Sequence, residues 1–463
     1  VRELSLGIWN PNSTPLQGTV WVNELRLSQA VQDAGLAGYM DMNLEAPGLL
    51  RASVSYSGQG SYFRQLTEDP AYQSDGRLAL HTFLELGRVA PEEWGVSIPL
   101  SVTHARRDQD PTFLAQTDLR ADRIPGLRET GASDTRVEVG FRKTTPVGNP
   151  VLDPILDGLS LRAGYTRTRL STTTLESNGS GVDARADFQK ELEVRDVPLV
   201  PGFARGLVRL ILPAGVEEDV VGTRLRWSPE RIRLGALYTR REQEAFRYEQ
   251  ILSLPGDSEV TPTRSPRKTL ETNALVAFRP VPPLTAEISF FSVRDLLEPE
   301  LSALDPQVHP LLARERWEAG FLDLGWETNR NLRTRVGFSP SLASWLRTDF
   351  STSTDYASHR SGALVERVPM GSDTLLLLQR NANGNRSTRV SASVDPGQLA
   401  GALWGEGAPE PGGEGQEGGD TSRSGFAARM LRALDPLFIT RQGGLNARYF
   451  RRPVSPGAGF QLG

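Results

Sequence analysis

The feature that most constrains this chain is a polar–apolar alternation with a period of two, which recurs from residue 36 to residue 400. In residues 332–338, two arginines occupy one face of an extended chain, and Leu332, Val336 and Phe338 occupy the other. Gly, Pro, Asn, Asp and Ser separate the segments, as is typical of turns. The pattern predicts an all-β protein of antiparallel strands, each with one polar and one apolar side.

Many of these segments have the length of a tilted membrane-spanning strand, about 9–11 residues. The clearest predicted strands are 51–57, 96–104, 135–143, 160–170, 223–227, 231–239, 272–279, 285–293, 317–326, 332–338, 346–352 and 388–394.

Arginines alternate with apolar residues in three of the segments. In a barrel with a hydrated lumen, the arginines would face the lumen and the apolar residues would face lipid. A soluble antiparallel sheet with one solvated face gives the same alternation, and cross-strand pairing to Asp and Glu is expected in either case. The candidate lumen-facing residues are Arg224, Arg226, Arg231, Arg233, Arg333 and Arg335, with Leu225, Trp227, Ile232, Leu234, Val336 and Phe338 on the lipid side.

Composition excludes several classes of function. No apolar run approaches the ~20 residues of a membrane helix, so the chain crosses a membrane only as part of a closed β-barrel. A net charge of −4 gives no reason to expect a nucleic-acid partner. The chain has no cysteine, and its four histidines are far apart, so we expect no metal site and no cofactor. The histidines are His81, His104, His309 and His359.

The chain divides into five predicted regions. Residues 1–28 are predicted to form two strands around a turn, at the end of a preceding β-rich domain. Residues 29–404 are predicted to contain the barrel strands and loops. Residues 405–424 are rich in Gly and Glu and are expected to be disordered. Residues 425–437 place Phe426, Met430, Leu431 and Leu434 on one face of an amphipathic helix, and residues 438–463 continue with further strand. Because the chain begins with Val1 and ends within a pattern, we interpret it as a fragment.

Two blocks in the first hundred residues are more specific than the strand pattern. The first is Trp21-Val22-Asn23-Glu24-Leu25-Arg26-Leu27-Ser28, in which two adjacent polar residues indicate a bend or bulge. The second runs from Leu84-Glu85-Leu86-Gly87-Arg88 to Pro91-Glu92-Glu93-Trp94-Gly95-Val96-Ser97-Ile98-Pro99. In amino-acid sequence and in their order along the chain, the two blocks resemble the W-[FLV]-N-E-L-R-L-[ST] and L-E-L-G-K-F-F-P-E-K-W-G segments of the SprA/Sov family.

The chain departs from the family pattern at Val89-Ala90, where the family has an aromatic pair, and at Glu93, where it has lysine. The residues that match the family motifs are Trp21, Asn23, Glu24, Leu25, Arg26, Leu27, Glu85, Leu86, Gly87, Pro91, Glu92, Trp94, Gly95, Ile98 and Pro99.

The resemblance implies a location in the outer membrane of a Gram-negative bacterium and a role in type IX secretion and gliding motility. Proteins of this family form a very large single-chain barrel that acts as a translocon for folded cargo proteins. The implied partners are secreted cargo, a PorV-type gate subunit, a periplasmic plug and outer-membrane lipid, and no reaction is catalysed. This chain would then supply an arc of antiparallel transmembrane β-barrel.

Two other classes of protein compete with this interpretation. A soluble or surface-attached all-β adhesin fits the turn spacing and the mean hydropathy of −0.35, but it predicts internal repeats of domain length that the sequence lacks. A β-rich glycan hydrolase needs a pair of carboxylates in a cleft with aromatic platforms, and no convincing acid pair is present. We therefore do not expect an enzyme.

Overall fold

Antiparallel strands make up most of the chain that this computed structural model describes. The described residues are 9–10, 14–15, 17–21, 34–65, 72–114, 119–143, 153–193, 196–198, 224–253, 260–302, 304–319, 322–370, 373–404, 430–452 and 456–462.

The strands are β1 (Ala37–Ala46), β2 (Leu50–Gln59), β3 (Gln73–Glu85), β4 (Val96–Ser97), β5 (Pro99–Pro111), β6 (Gly131–Lys143), β7 (Leu159–Ser171), β8 (Leu175–Glu191), β9 (Asp196–Pro198), β10 (Arg224–Arg226), β11 (Arg231–Arg247), β12 (Thr263–Arg264), β13 (Arg267–Val281), β14 (Leu284–Asp295), β15 (Glu318–Ala319), β16 (Leu322–Asp323), β17 (Trp326–Phe338), β18 (Ser341–Ala343), β19 (Leu346–Met370), β20 (Asp373–Val394) and β21 (Leu437–Arg452). The α-helices are α1 (Asp153–Leu156), α2 (His309–Glu315), α3 (Pro396–Trp404) and α4 (Ala458–Leu462).

One sheet contains 17 of these strands, and β9–β10 and β15–β16 form two separate ladders. Within the large sheet, β4, β12 and β18 are short additions to β6, β11 and β19. The other strands form a meander in which each long strand is antiparallel to the next one along the chain. Among the described strands, β1 pairs only with β2 and β21 only with β20, so both are edges.

The register keeps each side of the sheet continuous from strand to strand. Leu234 of β11 lies opposite Phe188 of β8 and Ala274 of β13. Since directly opposite residues of an antiparallel pair point to the same side, the alternation within each strand becomes a property of the whole sheet. We call the side that carries Leu234 the apolar face and the side that carries Arg233 the polar face.

A small enclosed core lies where α2 covers the ends of β17 and β20. Leu312 of α2 is 2% exposed and packs with Val308, Trp326 and Leu378. Most other large apolar side chains of the sheet are not enclosed by the described residues. On this side of the sheet, α2 and α4 cover parts of β17, β19 and β20, where Tyr356 is 2% exposed, and the described residues form no second layer over the rest of the apolar face.

The connection between β14 and β17 is held by Arg316. Its Nη1 and Nη2 donate to the carbonyl oxygens of Leu297 and Leu296 at 2.8 and 3.2 Å, and its Nε donates to Asp323 Oδ2 at 3.0 Å. Burial raises the pKa of Asp323, but hydrogen bonds from Arg316 and from the Gly325 N–H outweigh it, so the pKa lies below its usual value. The guanidinium thus fixes both ends of a long connection.

The all-β prediction is confirmed, and most of the predicted strands fall within observed ones. Residues 317–326 do not form one strand. Trp317 N donates to the Gly325 carbonyl at 3.0 Å, and the chain turns back there through β15 and β16. Residues 223–227 contribute only the three-residue strand β10, which lies outside the large sheet.

The predicted C-terminal regions differ from the structure at their boundaries. Residues 430–432 are helical, but the helix predicted for 425–437 stops before Asp435-Pro436, and β21 begins at Leu437. Helix α3 lies at the end of the 29–404 region, for which strands and loops were predicted, and helix α4 lies within 438–463, for which further strand was predicted. The segment 405–424 and most of residues 1–28 lie outside the described residues.

Candidate functional site

The second motif block forms a compact junction between β3 and β5, organised by the carboxylate of Glu85. Its Oε1 accepts from the backbone N–H of Ile98 at 2.7 Å and of Gly87 at 3.3 Å, and its Oε2 accepts from Ser97 Oγ at 3.1 Å. The Glu85 N–H donates to the Leu49 carbonyl at 2.8 Å. The Glu85 side chain thus joins the two ends of the motif to each other, and the Glu85 backbone joins the motif to the β1–β2 turn.

Glycines of the motif are required by close packing and by backbone conformation. A Cβ at Gly87 would overlap the Val96 carbonyl oxygen. Gly95 has φ of +53°, a left-handed conformation that glycine adopts without steric cost. Arg88 extends over Gly48 of the β1–β2 turn, where a Cβ would meet its guanidinium. The motif therefore encodes a tightly folded connection.

The other residues of the second motif block also lie in this junction. The backbone N–H of Trp94 donates to the Pro91 carbonyl at 3.0 Å, and the Trp94 side chain is 60% exposed. Pro99 begins β5 and packs over Gly140 of β6, where no larger residue fits. Leu86 N donates to the Ile98 carbonyl at 2.9 Å, and Glu92 lies in the 3-10 helix Glu92–Trp94.

The first motif block falls almost entirely outside the described residues. Its Trp21 is described and is 89% exposed, whereas Asn23, Glu24, Leu25, Arg26 and Leu27 are not described. The bend predicted at Asn23-Glu24 remains a prediction.

Four of the six candidate arginines lie on the polar face of the large sheet. Following the registers from β11 through β13 and β14 to β17 places Arg231, Arg233, Arg333 and Arg335 on the same side. Arg224 and Arg226 belong to the β9–β10 ladder instead, and Arg224 Nη1 lies 3.2 Å from Asp196 Oδ2.

Several charges on the polar face are paired within the sheet. Arg333 forms an ion pair with Asp355 on the next strand. Asp75 accepts from Arg77 at 2.8 Å and from Arg107 at 3.2 Å. Arg185 and Asp187, two residues apart on β8, form another pair. The polar face is therefore a hydrated surface with both signs of charge, and each exposed pair adds little stability.

The apolar face leaves large side chains exposed across the whole sheet. Several strands carry four same-face positions of mainly apolar character, such as Ile232, Leu234, Ala236 and Tyr238 on β11. The exposed members of this face include Met42, Leu44, Val139, Leu161, Tyr165, Val182, Leu234, Ile288, Phe338, Phe350, Val390, Leu437 and Ile439. Monomeric soluble proteins rarely expose an apolar surface of this extent.

The apolar positions of neighbouring strands form a continuous belt on the apolar face, and this belt crosses the strands at an angle. The apolar positions of β7 centre on residue 162, which the registers connect through 185, 237 and 271 to residue 293 of β14. The apolar positions of β14 run from Leu284 to Phe290 and centre on residue 287. A shift of six residues is about 20 Å at ~3.3 Å per residue, over four strand spacings of about 19 Å in total. The strands are thus inclined to the belt by about 45°.

No group of three or more His, Asp or Glu residues that could hold a metal ion occurs among the described residues. The described part of the chain also contains no helix long and apolar enough to cross a membrane. The features that remain are a folded motif junction and a sheet with two chemically distinct faces.

Comparison with known proteins gives one finding. Residues 1–120 match the family model SprA_N, described as motility related/secretion protein. The matched segment contains both motif blocks and ends just after β5. No curated protein matches the chain.

Proposed function

We propose that the chain is an arc of an outer-membrane protein-conducting barrel, since its first 120 residues match the SprA_N family model of motility related/secretion proteins. The observation that carries the proposal is the inclined apolar belt. Strands of transmembrane barrels tilt by about 35–45° and present an apolar band about 25 Å tall to lipid. Seven-residue runs such as 232–238 span about 20–23 Å along the strand, which at an inclination of about 45° covers about 14–16 Å of that height.

The mechanism follows from the two faces. The apolar face contacts lipid, and the polar face, with Arg231, Arg233, Arg333 and Arg335, lines a hydrated lumen. Such a lumen offers little apolar surface to a folded cargo protein, so cargo passes without unfolding. Selectivity then comes from partners that close the pore, such as a gate subunit and a periplasmic plug, because a wide pore cannot discriminate by desolvation. The edges β1 and β21 pair with further strands of the complete barrel.

The assignment of the two faces is tested by cysteine labelling, which has no background because the chain contains no cysteine. In intact membranes, Arg233→Cys is expected to react with a membrane-impermeant maleimide at least about tenfold faster than Leu234→Cys, because lipid excludes the reagent from Leu234. Arg335→Cys and Val336→Cys provide the same comparison on β17. Both members of each pair should react after solubilisation in detergent.

Equal labelling of Arg233→Cys and Leu234→Cys in membranes would show that Leu234 is in water. The chain would then behave as the soluble or surface-attached adhesin, which should also be monodisperse in plain buffer.

Conduction is tested separately with the full protein in planar bilayers, after its closing partners are removed. We expect a large conductance with weak ion selectivity, because the polar face carries both signs of charge. Correctly inserted protein that never conducts would retain the membrane assignment but rule out the translocon.

A further inference from the structure

The apolar face contains a depression where four alanines meet. Ala163 of β7 lies opposite Ala184 of β8, and Ala186 of β8 lies opposite Ala236 of β11. The depression has a volume of about 410 Å³. Larger side chains surround it, namely Val139, Phe141, Leu161, Tyr238 and Leu270. The floor consists of methyl groups, so it accepts an alkyl chain and itself offers no hydrogen bond. Arg162 and Arg185 also line the depression, but they occupy polar-face positions of β7 and β8.

Cations lie at one rim of this depression, on the same face. Arg240 follows Tyr238 by two residues on β11, and Lys268 precedes Leu270 by two residues on β13, so each lies about 7 Å beyond the wall. The register places Arg240 directly opposite Lys268. Arg167 of β7 is exposed and belongs to the next row beyond them.

Each cation at this rim already interacts with one carboxylate, and the two cations still face each other across the ladder. Arg240 Nε donates to Glu242 Oε1 at 3.0 Å, and Lys268 interacts electrostatically with Asp323. Like charges directly opposite each other on paired strands are unfavourable unless an anion lies between them. An anion that bridges Arg240 and Lys268 would relieve this repulsion.

We propose that the alanine depression and its cationic rim bind an anionic, phosphate-bearing lipid, with an alkyl chain over Ala163, Ala184 and Ala236 and the phosphate on Arg240 and Lys268. The inference rests on the proposed insertion into a membrane and adds a specific lipid site to it. Charge complementarity selects the headgroup, because each Lys or Arg at a membrane surface favours anionic lipid.

The test uses the full chain purified in non-ionic detergent and native mass spectrometry to count bound lipid. The probes are phosphatidic acid with two twelve-carbon chains, the matching phosphatidylcholine, and inorganic phosphate. Phosphatidic acid is expected to bind about 10- to 30-fold more tightly than phosphatidylcholine, since two surface cations contribute about 1 kcal/mol each. The double variant R240Q/K268Q should lose this preference, and Ala184→Trp should abolish retention of both lipids.

Two matched controls isolate the site. Ala286→Trp adds the same bulk on the apolar face of β14, outside the depression, and Arg233→Gln removes a cation from the polar face. Neither should change lipid binding. Equal affinity for the two lipids, a preference for phosphatidic acid that R240Q/K268Q leaves unchanged, or binding of inorganic phosphate as tight as that of phosphatidic acid would overturn the proposal.

Flotation with phosphatidylcholine vesicles separates this inference from the proposed function. A chain that floats with vesicles but shows no preference for phosphatidic acid contradicts only the lipid site. A chain that fails to float contradicts membrane insertion itself, and the lipid site with it.

Discussion

Replacing Leu234 with arginine is expected to lower the free energy of unfolding from a bilayer by about 2–4 kcal/mol, the cost of a cation at the midplane of a barrel's lipid face. Leu234 lies near the middle of the apolar positions of β11, and its side chain is exposed on the apolar face. The guanidinium therefore has no hydrated surface within easy reach. Urea titration of the protein folded into phosphatidylcholine vesicles measures the loss.

The matched control is Leu237→Arg, the same substitution three residues along the same strand. Leu237 lies on the polar face, opposite Glu271 of β13 and Arg185 of β8. Because Arg185 is already paired with Asp187, the new guanidinium gains Glu271 as its ion-pair partner. Its effect should stay within about 1 kcal/mol. Similar losses for the two variants would contradict the assignment of the faces.

Glu85→Ala is expected to destabilise the junction between β3 and β5 by about 2–4 kcal/mol. The substitution leaves the N–H groups of Gly87 and Ile98 and the hydroxyl of Ser97 without their acceptor, and hydrogen bonds to a charged group contribute about 1.5–3 kcal/mol each, with partial compensation by water. Hydrogen exchange of the Ile98 amide should accelerate along with the loss of global stability.

The variant Glu85→Gln separates the contribution of the hydrogen bonds to stability from the contribution of the negative charge. Glutamine retains Oε1 for the two N–H groups, and its amide can donate to Ser97 Oγ, so most of the stability should be kept. Glu45→Ala removes an exposed carboxylate that pairs only with Arg51 among the described residues, and it should cost less than about 1 kcal/mol. If all three variants were equally stable, Glu85 would not organise the junction.

The sequence predicts strands best where alternation is strong and side chains are β-branched or aromatic. The arginine-bearing strands β11 and β17 are of this kind, and the faces predicted for Arg231, Arg233, Arg333 and Arg335 agree with the register. Strand β8 escaped prediction because Leu175–Glu191 is rich in Gly, Asn, Ser and Asp, which usually indicate turns. It is a strand because β7 and β11 pair with it on both sides.

The sequence predicted most of the residues of the candidate site but not the contacts between them. The motif's amino-acid sequence singled out Glu85, Gly87, Gly95 and Pro99. It does not show that the Glu85 carboxylate accepts a hydrogen bond from Ile98, thirteen positions further along the chain. Ser97 and Gly140 were not singled out, since a hydroxyl acquires its role only from the fold and Gly140 only from the packing of Pro99. The inclination of the belt depends on registers, which alternation alone does not fix.

The meander has a consequence for how the chain folds. Every long strand of the sheet pairs with the long strands next to it in the sequence, so most ladders close a short loop, as β1 and β2 do. The connections from β8 to β11 and from β20 to β21 are longer but still join consecutive long strands. Loop-closure entropy stays modest, and contact order is low for a β-protein of this size. Each new strand can therefore add to the growing edge as soon as it is delivered, without waiting for a distant part of the chain, and the sheet can assemble in the order in which it is synthesised.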